Sequence, residues 1–329
     1  MRRGATLAGV VPPAAAMARA AALGACVALA SGCLAFHGGA MPGEPRGARY
    51  AEVNGTRVRY VDVGEGPAVV LLHGFASSLE TWDLLVPKLR GRHRVIAVDL
   101  KGFGWTDRPA GDYSPQAQAA MVFGLLDQRG VKTAAVVGHS YGASVALTMA
   151  LADPDRVTRL VLYDAWVYDE QLPTFFLWAR ARALGEALFA LFYEERPEEK
   201  LQLAFYDPSR IPEKLVEDVA RAFTRPGTRA AALAAVRGMR YADLQPRYRT
   251  VAKPVLLLWG REDTVAPVVI GERLARDLPQ SRLVVYPRCG HLPMLEAAAA
   301  SNAEAVRFLA EEPAAPATSP ARPAAEGRP

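Results

Sequence analysis

Short, continuous apolar runs alternate with stretches of helical spacing from residue 49 to residue 164. Runs without polar alternation are typical of strands buried on both faces of a sheet; here they cover residues 68–72, 95–98 and 134–137, and a further strand is predicted at 157–163. Two further runs flank Asn54-Gly55, a dipeptide that favours a hairpin turn. Residues 79–89 and 114–126 have helical spacing, with Ser114 as N-cap and Pro115 in the first turn. The pattern predicts an α/β fold with a mostly parallel sheet covered on both faces.

The pattern changes between residues 165 and 251. Strand-like runs are absent there, and aromatic and apolar side chains recur at helical spacing, among them Phe175, Trp178 and Phe189. Further helices are predicted over residues 212–223 and 227–239. Because this stretch is too long for a simple crossover, we interpret it as a helical cap inserted into the sheet domain.

The α/β pattern returns after the cap. It predicts a strand at 254–260, a helix at 267–278, a strand at 282–286 and a final helix at 293–311. The sheet then has eight strands, and its domain comprises residues 49–164 and 252–311. Residues 34–48 are predicted to be a Gly/Pro-rich linker, and residues 312–329 a disordered Pro/Ala tail.

The first 33 residues have the character of a targeting segment. A basic start is followed by apolar residues and ends in Ala30-Ser31-Gly32-Cys33, which resembles a bacterial lipoprotein signal. The resemblance implies lipidation of Cys33 and an exported protein anchored to a membrane of the cell envelope. Cleavage after residues 28–30 would instead release a soluble secreted or periplasmic form. An uncleaved anchor, or a true start at Met17, also remains open.

Charge and cysteine content restrict the function less sharply. The net charge is +5, but the arginines are dispersed, so the composition does not indicate nucleic-acid binding. Two of the three cysteines, Cys26 and Cys33, precede the body, which leaves Cys289 alone in it. No intramolecular disulfide is therefore expected in the body. The oligomeric state is not predicted.

The sequence Gly138-His139-Ser140-Tyr141-Gly142 lies between a predicted strand and a predicted helix. A serine at so sharp a turn takes a strained backbone conformation, and the two glycines let the backbone pass close to itself. The turn exposes the Ser140 hydroxyl at the end of the sheet. In this strand–turn–helix context, the pentapeptide resembles the nucleophile elbow of the α/β-hydrolase family.

A serine nucleophile needs a base, and the base needs an orienting carboxylate. The family order is serine, acid, histidine. Asp263 is the acid that this resemblance implies, because Gly260-Arg261-Glu262-Asp263 and Pro267 match a family pattern. Asp164, at the end of the preceding strand, is the alternative acid. His291, between the last strand and the last helix, is the implied base.

The resemblance also implies an oxyanion hole and no cofactor or metal. Its donors would be the backbone N–H groups of Phe75, in a His-Gly-x loop, and Tyr141, directly after the serine. In that loop His73 is interpreted as structural. Two alternatives are disfavoured: Cys289 as the nucleophile, since it lacks an elbow, and a metal site made of His73, His139 and Asp99.

A glycine-rich loop, residues 99–109, resembles that of capped family members, including epoxide hydrolases and haloalkane dehalogenases. Those relatives carry an aspartate at the elbow, whereas this chain has Ser140, which favours an acyl-enzyme intermediate. We therefore expect a serine hydrolase acting on a small apolar ester or related acyl compound. Carbon–carbon bond hydrolase, thioesterase, amidase or peptidase, and perhydrolase or haloperoxidase-like activities stay open. A non-enzymatic binding scaffold is disfavoured by the complete set of candidate catalytic residues.

Overall fold

The computed structural model of the protein describes residues 34–194 and 196–311. Cys26, Cys33 and the predicted tail lie outside the described residues. Eight strands form one sheet: β1 (Arg49–Val53), β2 (Thr56–Val63), β3 (Ala68–Leu72), β4 (Arg94–Val98), β5 (Ala134–His139), β6 (Val157–Tyr163), β7 (Val255–Gly260) and β8 (Ser281–Tyr286).

The strand order is β1-β2-β4-β3-β5-β6-β7-β8. The β1–β2 hairpin is antiparallel, β2 pairs antiparallel with β4, and the strands from β4 to β8 run parallel. Alternate residues of β3 enter two different cores, Val70 and Leu72 on one face and Val69 and Leu71 on the other. The predicted α/β class, with an eight-stranded and mostly parallel sheet, is confirmed.

Helices cover both faces of the sheet and also fill the stretch between β6 and β7. Around the sheet are α1 (Val86–Leu89), α2 (Pro115–Gln128), α3 (Tyr141–Ala152), α9 (Val268–Asp277), α10 (Pro293–Glu296) and α11 (Ala298–Ala310). Between β6 and β7 are α4 (Thr174–Ala179), α5 (Leu184–Phe192), α6 (Pro197–Ala204), α7 (Glu213–Phe223) and α8 (Thr228–Gly238). No helix in the described ranges is long and apolar enough to cross a membrane.

Two predicted helices are interrupted in the structure. Instead of one helix over residues 79–89 there is a 3-10 turn, Leu79–Trp82, followed by α1, because Pro87 has no N–H to donate to the preceding turn. The last helix is divided between α10 and α11. There the side chains of Ser301 and Asn302 donate to the carbonyls of Pro293 and Met294, so that α11 is hydrogen-bonded to α10 across the break.

Residues 34–48, interpreted from the sequence as a linker, pack against the body. The backbones of His37 and Arg108 exchange two hydrogen bonds of 2.9 and 2.8 Å, and Met41 is buried. Glu44 accepts two hydrogen bonds from the Arg57 guanidinium, at 2.6 and 2.7 Å. The Arg57 guanidinium lies 3.4 Å from the centre of the Tyr50 ring. This segment is therefore held by specific contacts.

Candidate active site

Ser140 lies between β5 and α3, with φ 50° and ψ −116°. Its N–H donates to the carbonyl of Tyr163 at 2.9 Å, and its carbonyl accepts from the N–H of Trp166 at 3.1 Å. These bonds tie the strained residue to β6 and to the chain that follows it. The strain is of the kind that persists only where surrounding structure enforces it, which is common at functional sites.

The elbow glycines are required by close backbone contacts. A Cβ on Gly138 would lie 2.5 Å from the carbonyl oxygen of Gly142. A Cβ on Gly142 would lie 2.3 Å from the carbonyl oxygen of Leu72, at the end of β3. Neither contact is sterically possible, so the Gly-x-Ser-x-Gly pattern follows from the packing of this turn.

His291 and Asp263 are joined directly. The Nδ1 atom of His291 lies 2.7 Å from Oδ2 of Asp263, and both side chains are buried. The Oδ1 atom of Asp263 accepts from the N–H groups of Val265 and Ala266, at 2.7 and 2.9 Å. This leaves Nε2 as the ring nitrogen of His291 that is available to a nucleophile.

The environment of Asp263 favours its ionised form. Burial acts to raise the pKa of Asp263, but the charge of His291, the hydrogen bond from His291 and the N–H of Ala266 outweigh it and lower the pKa. An ionised Asp263 accepts the Nδ1–H of His291 and fixes the tautomer of the ring.

His139 connects the serine to the candidate base. It precedes Ser140, and its Nε2 donates to the carbonyl oxygen of His291 at 2.8 Å, with the two rings 4.8 Å apart. Burial first, and then the neighbouring His291, lower the pKa of His139 to about 3, so its ring is neutral. The sequence analysis did not predict this contact, which joins residues 152 positions apart.

A direct hydrogen bond between Ser140 Oγ and His291 is not among those formed by the described residues. Nucleophile–base contacts are often longer than a hydrogen bond before substrate binds. His291 lies beside His139, the residue that precedes the serine, and Asp263 lies on the Nδ1 side of the His291 ring.

The predicted oxyanion loop lies against the elbow. A Cβ on Gly74 would be 2.9 Å from Nδ1 of His139 and 3.3 Å from Cβ of Ser140. The N–H of Phe75 donates no hydrogen bond within the described residues. Tyr141 begins α3, where N–H groups lack an acceptor within the helix. Both predicted donors are therefore available to an oxyanion.

His73 and Asp99 serve the loops around the site. His73 donates from Nδ1 to the carbonyl of Gly74 at 2.7 Å and accepts at Nε2 from the N–H of Leu100 at 3.0 Å. Asp99 accepts from the backbone of Leu79 and Trp105 and from Arg59. Their polar atoms are thus engaged, which explains the structural role expected for His73 and disfavours the metal set of His73, His139 and Asp99.

Among the described residues, Asp164, Asp263 and His291 form one close group of acidic and histidine side chains. One carboxyl oxygen of each aspartate and one ring nitrogen of His291 lie within 4.8 Å of one another. Two of these side chains, Asp263 and His291, already bond to each other.

Cys289 is buried, and burial, followed by nearby carboxylates, raises the pKa of its thiol. A thiol that stays protonated is a poor nucleophile.

Aromatic rings pack around Phe75 of the predicted oxyanion loop. Phe75 lies 5.3 Å from Phe103, 5.3 Å from Phe176 and 6.4 Å from Tyr193, measured between ring centres. In contrast to the exposure expected from the sequence, Ser140 has only 3% of its surface exposed. Rings of the sheet domain and rings of the helices between β6 and β7 pack together around Phe75.

Comparison with known proteins identifies the family. The family model for the alpha/beta hydrolase fold matches residues 67–298. The chain belongs to the α/β-hydrolase fold family. It is an enzyme, a hydrolase of this family, as its relatives are.

Two relatives of this hydrolase carry different activities in their names. It is 30% identical over 262 residues to a 2-hydroxy-6-oxo-2,4-heptadienoate hydrolase of Pseudomonas putida, covering 75% of this chain and 91% of the relative. It is 31% identical over 244 residues to a pimeloyl-[acyl-carrier protein] methyl ester esterase of Nitrosomonas europaea, covering 70% and 91%. A meta-cleavage product hydrolase structure, CumD, aligns with a TM-score of 0.68 at 29% identity, covering 79% of this chain and 97% of that one.

Proposed function

We propose that this hydrolase cleaves small carboxylic esters with apolar acyl groups through an acyl-enzyme on Ser140. The observation that carries the proposal is the 2.7 Å bond between His291 and Asp263, formed beside a strained serine elbow. The likeness to a methyl ester esterase supports the ester as substrate class.

The proposed first step forms the acyl-enzyme. His291 Nε2 accepts the hydroxyl proton of Ser140 as Oγ forms a bond to the substrate carbonyl carbon. The N–H groups of Phe75 and Tyr141 stabilise the oxyanion. The C–O bond to the alcohol then breaks, and the imidazolium of His291 gives its proton to the departing alcohol.

The second step uses water. His291 accepts a proton from the water as its oxygen attacks the acyl carbon, and the proton passes to Ser140 Oγ when the acyl–serine bond breaks. The carboxylic acid is released and the enzyme is regenerated. Asp263 remains ionised throughout and stabilises the imidazolium.

The rings around Phe75 support an apolar acyl group. Phe103, Phe176 and Tyr193 surround it, and Phe103 also packs 6.2 Å from Tyr141, the second oxyanion donor. A substrate carbonyl held by these donors would have its acyl chain against uncharged rings, where burial of apolar surface stabilises binding.

A fluorophosphonate probe tests the nucleophile. We expect the full-length protein to be labelled and Ser140→Ala to remain unlabelled, because the probe reacts with an activated serine hydroxyl. Cys289→Ala is the matched control, since it removes the one thiol of the body and should keep its labelling. Equal labelling of Ser140→Ala would contradict the proposed nucleophile.

Hydrolysis of a carbon–carbon bond is the second candidate. Two relatives support it, the heptadienoate hydrolase and a 2-hydroxymuconate semialdehyde hydrolase of Pseudomonas, 29% identical over 275 residues. The discriminating experiment compares kcat/KM for short-chain p-nitrophenyl esters with that for ring-cleavage dienoates. Faster turnover of the dienoates would replace the ester proposal. The same comparison of kcat/KM should include thioesters and amides as substrates, and hydrogen peroxide as the acyl acceptor, to test the thioesterase, amidase and perhydrolase alternatives.

We also propose that the enzyme is exported and anchored by a lipid on Cys33. The signal-like sequence supports this, and Leu34 lines a surface cavity together with Arg182 and Ala183 of the cap. Large apolar side chains are exposed on the adjacent helices, Trp178 at 59% and Leu191 at 59%. Intact mass of the protein extracted from bacterial membranes tests the anchor: a diacylated mass lost in Cys33→Ser is expected, and an unmodified mass would exclude it.

A further inference from the structure

Asp164 is a buried acidic residue that has no role in the proposed mechanism. It follows β6 with a φ of 40°, uncommon for a residue with a Cβ, and no part of it is exposed. Its Oδ1 accepts from the N–H of Gly260 at 2.9 Å. Its Oδ2 is buried and has no hydrogen-bond donor among the described residues.

Asp263 lies close to the carboxyl group of Asp164. Oxygen atoms of the two carboxyl groups and a ring nitrogen of His291 all fall within 4.8 Å of one another. Two carboxylates in one buried site cannot both ionise without strong repulsion, so they share a proton.

The hydrogen bonds decide which of the two carries the proton. Asp263 accepts three N–H groups, those of Val265, Ala266 and His291. Asp164 accepts one, from Gly260. The carboxyl group with more donors is better stabilised as an anion, so the charge belongs on Asp263 and the proton on Asp164.

We propose that Asp164 is a neutral carboxylic acid that donates a hydrogen bond from its Oδ2 hydroxyl to Asp263, so that it positions the carboxylate that orients His291. Asp164 is then a positioning residue, which acts through Asp263. The sequence analysis weighed it only as a replacement for Asp263, but the structure gives the two acids different tasks. The functional part of this inference rests on the proposed roles of Asp263 and His291.

The surroundings of Asp164 agree with a neutral side chain. Besides Asp263, the titratable groups that face it are Glu296, the Cys289 thiol and the Tyr163 hydroxyl; His139 and His291 face Asp263. Burial, and then the Asp263 charge, raise the pKa of Asp164 well above the usual aspartate range.

Glu296 provides a contrast within the same cluster. It is also buried, but its two oxygens accept from the N–H groups of Tyr206, Asp207 and Gly290. These partners are all donors, so an amide in place of the Glu296 carboxyl group would direct its own N–H toward another N–H. An amide at Asp164 would instead keep a donor toward Asp263.

The experiment compares Asp164→Asn, which keeps a donor, with Asp164→Val, which removes it. We expect Asp164→Asn to keep kcat/KM within about threefold of the parent enzyme and to keep its pH profile. In Asp164→Val, Asp263 loses one stabilising donor and interacts more strongly with the imidazolium. The acid limb of the kcat/KM profile should then move to higher pH by about one unit. Identical profiles for both variants would overturn the positioning role.

Two further measurements do not depend on turnover. The infrared spectrum of the full-length protein at pH 7 should contain a C=O band of a protonated carboxylic acid. The difference spectrum of the parent minus Asp164→Asn should show this band, and that of the parent minus Glu296→Gln should not. Asp164→Asn should also become more stable toward urea than the parent as the pH rises above about 4. For each pH unit, the ratio of the parent's unfolding equilibrium constant to that of the variant should rise by up to about tenfold. Absence of the band would overturn the neutral acid even if the enzyme proves to be an active serine hydrolase. A band with no hydrolase activity would contradict the proposed function alone.

Discussion

At the residue scale, two neutral histidines hold the site without taking part in the chemistry. His139 donates to the carbonyl of His291, and His73 bridges Gly74 and the N–H of Leu100. Burial lowers the pKa of both histidines. Nε2 of His73 accepts the N–H of Leu100 and so carries no proton, and the pKa of His139 falls to about 3, so both rings are uncharged. Their shape and hydrogen bonds, rather than a charge, set the positions of the oxyanion loop and the candidate base.

The buried His139 predicts a specific loss of stability in acid. Its folded pKa of about 3 lies below its ordinary value of about 6.5. The unfolded state therefore binds a proton first, and the stability of the neutral ring is fully present above pH ~6.5 and is lost as the pH falls toward 3. The expected slope is about 1.4 kcal/mol per pH unit.

Urea unfolding between pH 7 and pH 4 measures this slope. His139→Phe keeps an aromatic ring and removes the titration, so its unfolding free energy should depend less steeply on pH than that of the parent. A His37→Phe variant, which changes a histidine of the 34–48 segment, is the matched control. Parallel curves for His139→Phe and the parent would refute the contribution of His139.

The sequence predicts single candidate residues where their setting is local. Ser140 is specified by its two glycines, Asp263 by the turn after β7, and His291 by its place between β8 and α10. Asp164 and His139 are different, because their roles come from partners that are distant in sequence and near only in the fold. A single sequence does not contain that proximity.

At the element scale, the strands and the long helices follow from periodicity. The predicted Ser114 cap is present: its Oγ accepts from the N–H of Ala117 at 3.2 Å, and α2 begins at Pro115. The interrupted helices were harder to predict, because apolar spacing continues through Pro87 while backbone hydrogen bonding does not. The side-chain hydrogen bonds from α11 to α10 likewise have no recognisable pattern in the local sequence.

The segment 34–48 shows the same limit in a loop. Its Gly/Pro composition predicts an unstructured linker, but Glu44 meets Arg57 and Met41 meets Arg108, both from the body. The hydrogen bonds and charge of Arg57 lower the pKa of Glu44 to about 2. The stability from this pair is present above about pH 4.5 and is lost as the pH falls toward 2. Composition describes the backbone tendency of such a segment and misses its contacts.

At the scale of the whole molecule, the helices between β6 and β7 meet the sheet domain at the predicted oxyanion loop. Phe75 belongs to the sheet domain, but its ring packs with Phe176 and Tyr193 of the cap. Ser140 is almost fully covered in this arrangement. An ester bound as proposed would place its acyl group against these rings, so we expect the rings to limit the size of the acyl group.

Phe176→Ala tests this control of acyl size. Phe176 stacks on Trp166, 5.8 Å away, and lies 5.3 Å from Phe75, so its removal opens space on the acyl side of the proposed oxyanion hole. We expect the ratio of kcat/KM for p-nitrophenyl octanoate to that for the acetate to rise by roughly tenfold, the value of one or two accommodated methylenes. Phe175→Ala is the matched control, since Phe175 packs 5.5 Å from Phe189 inside the cap. It should lower thermal stability and leave the octanoate-to-acetate ratio unchanged. If both variants changed the ratio equally, general loosening of the cap, and not the ring of Phe176, would determine acyl selectivity.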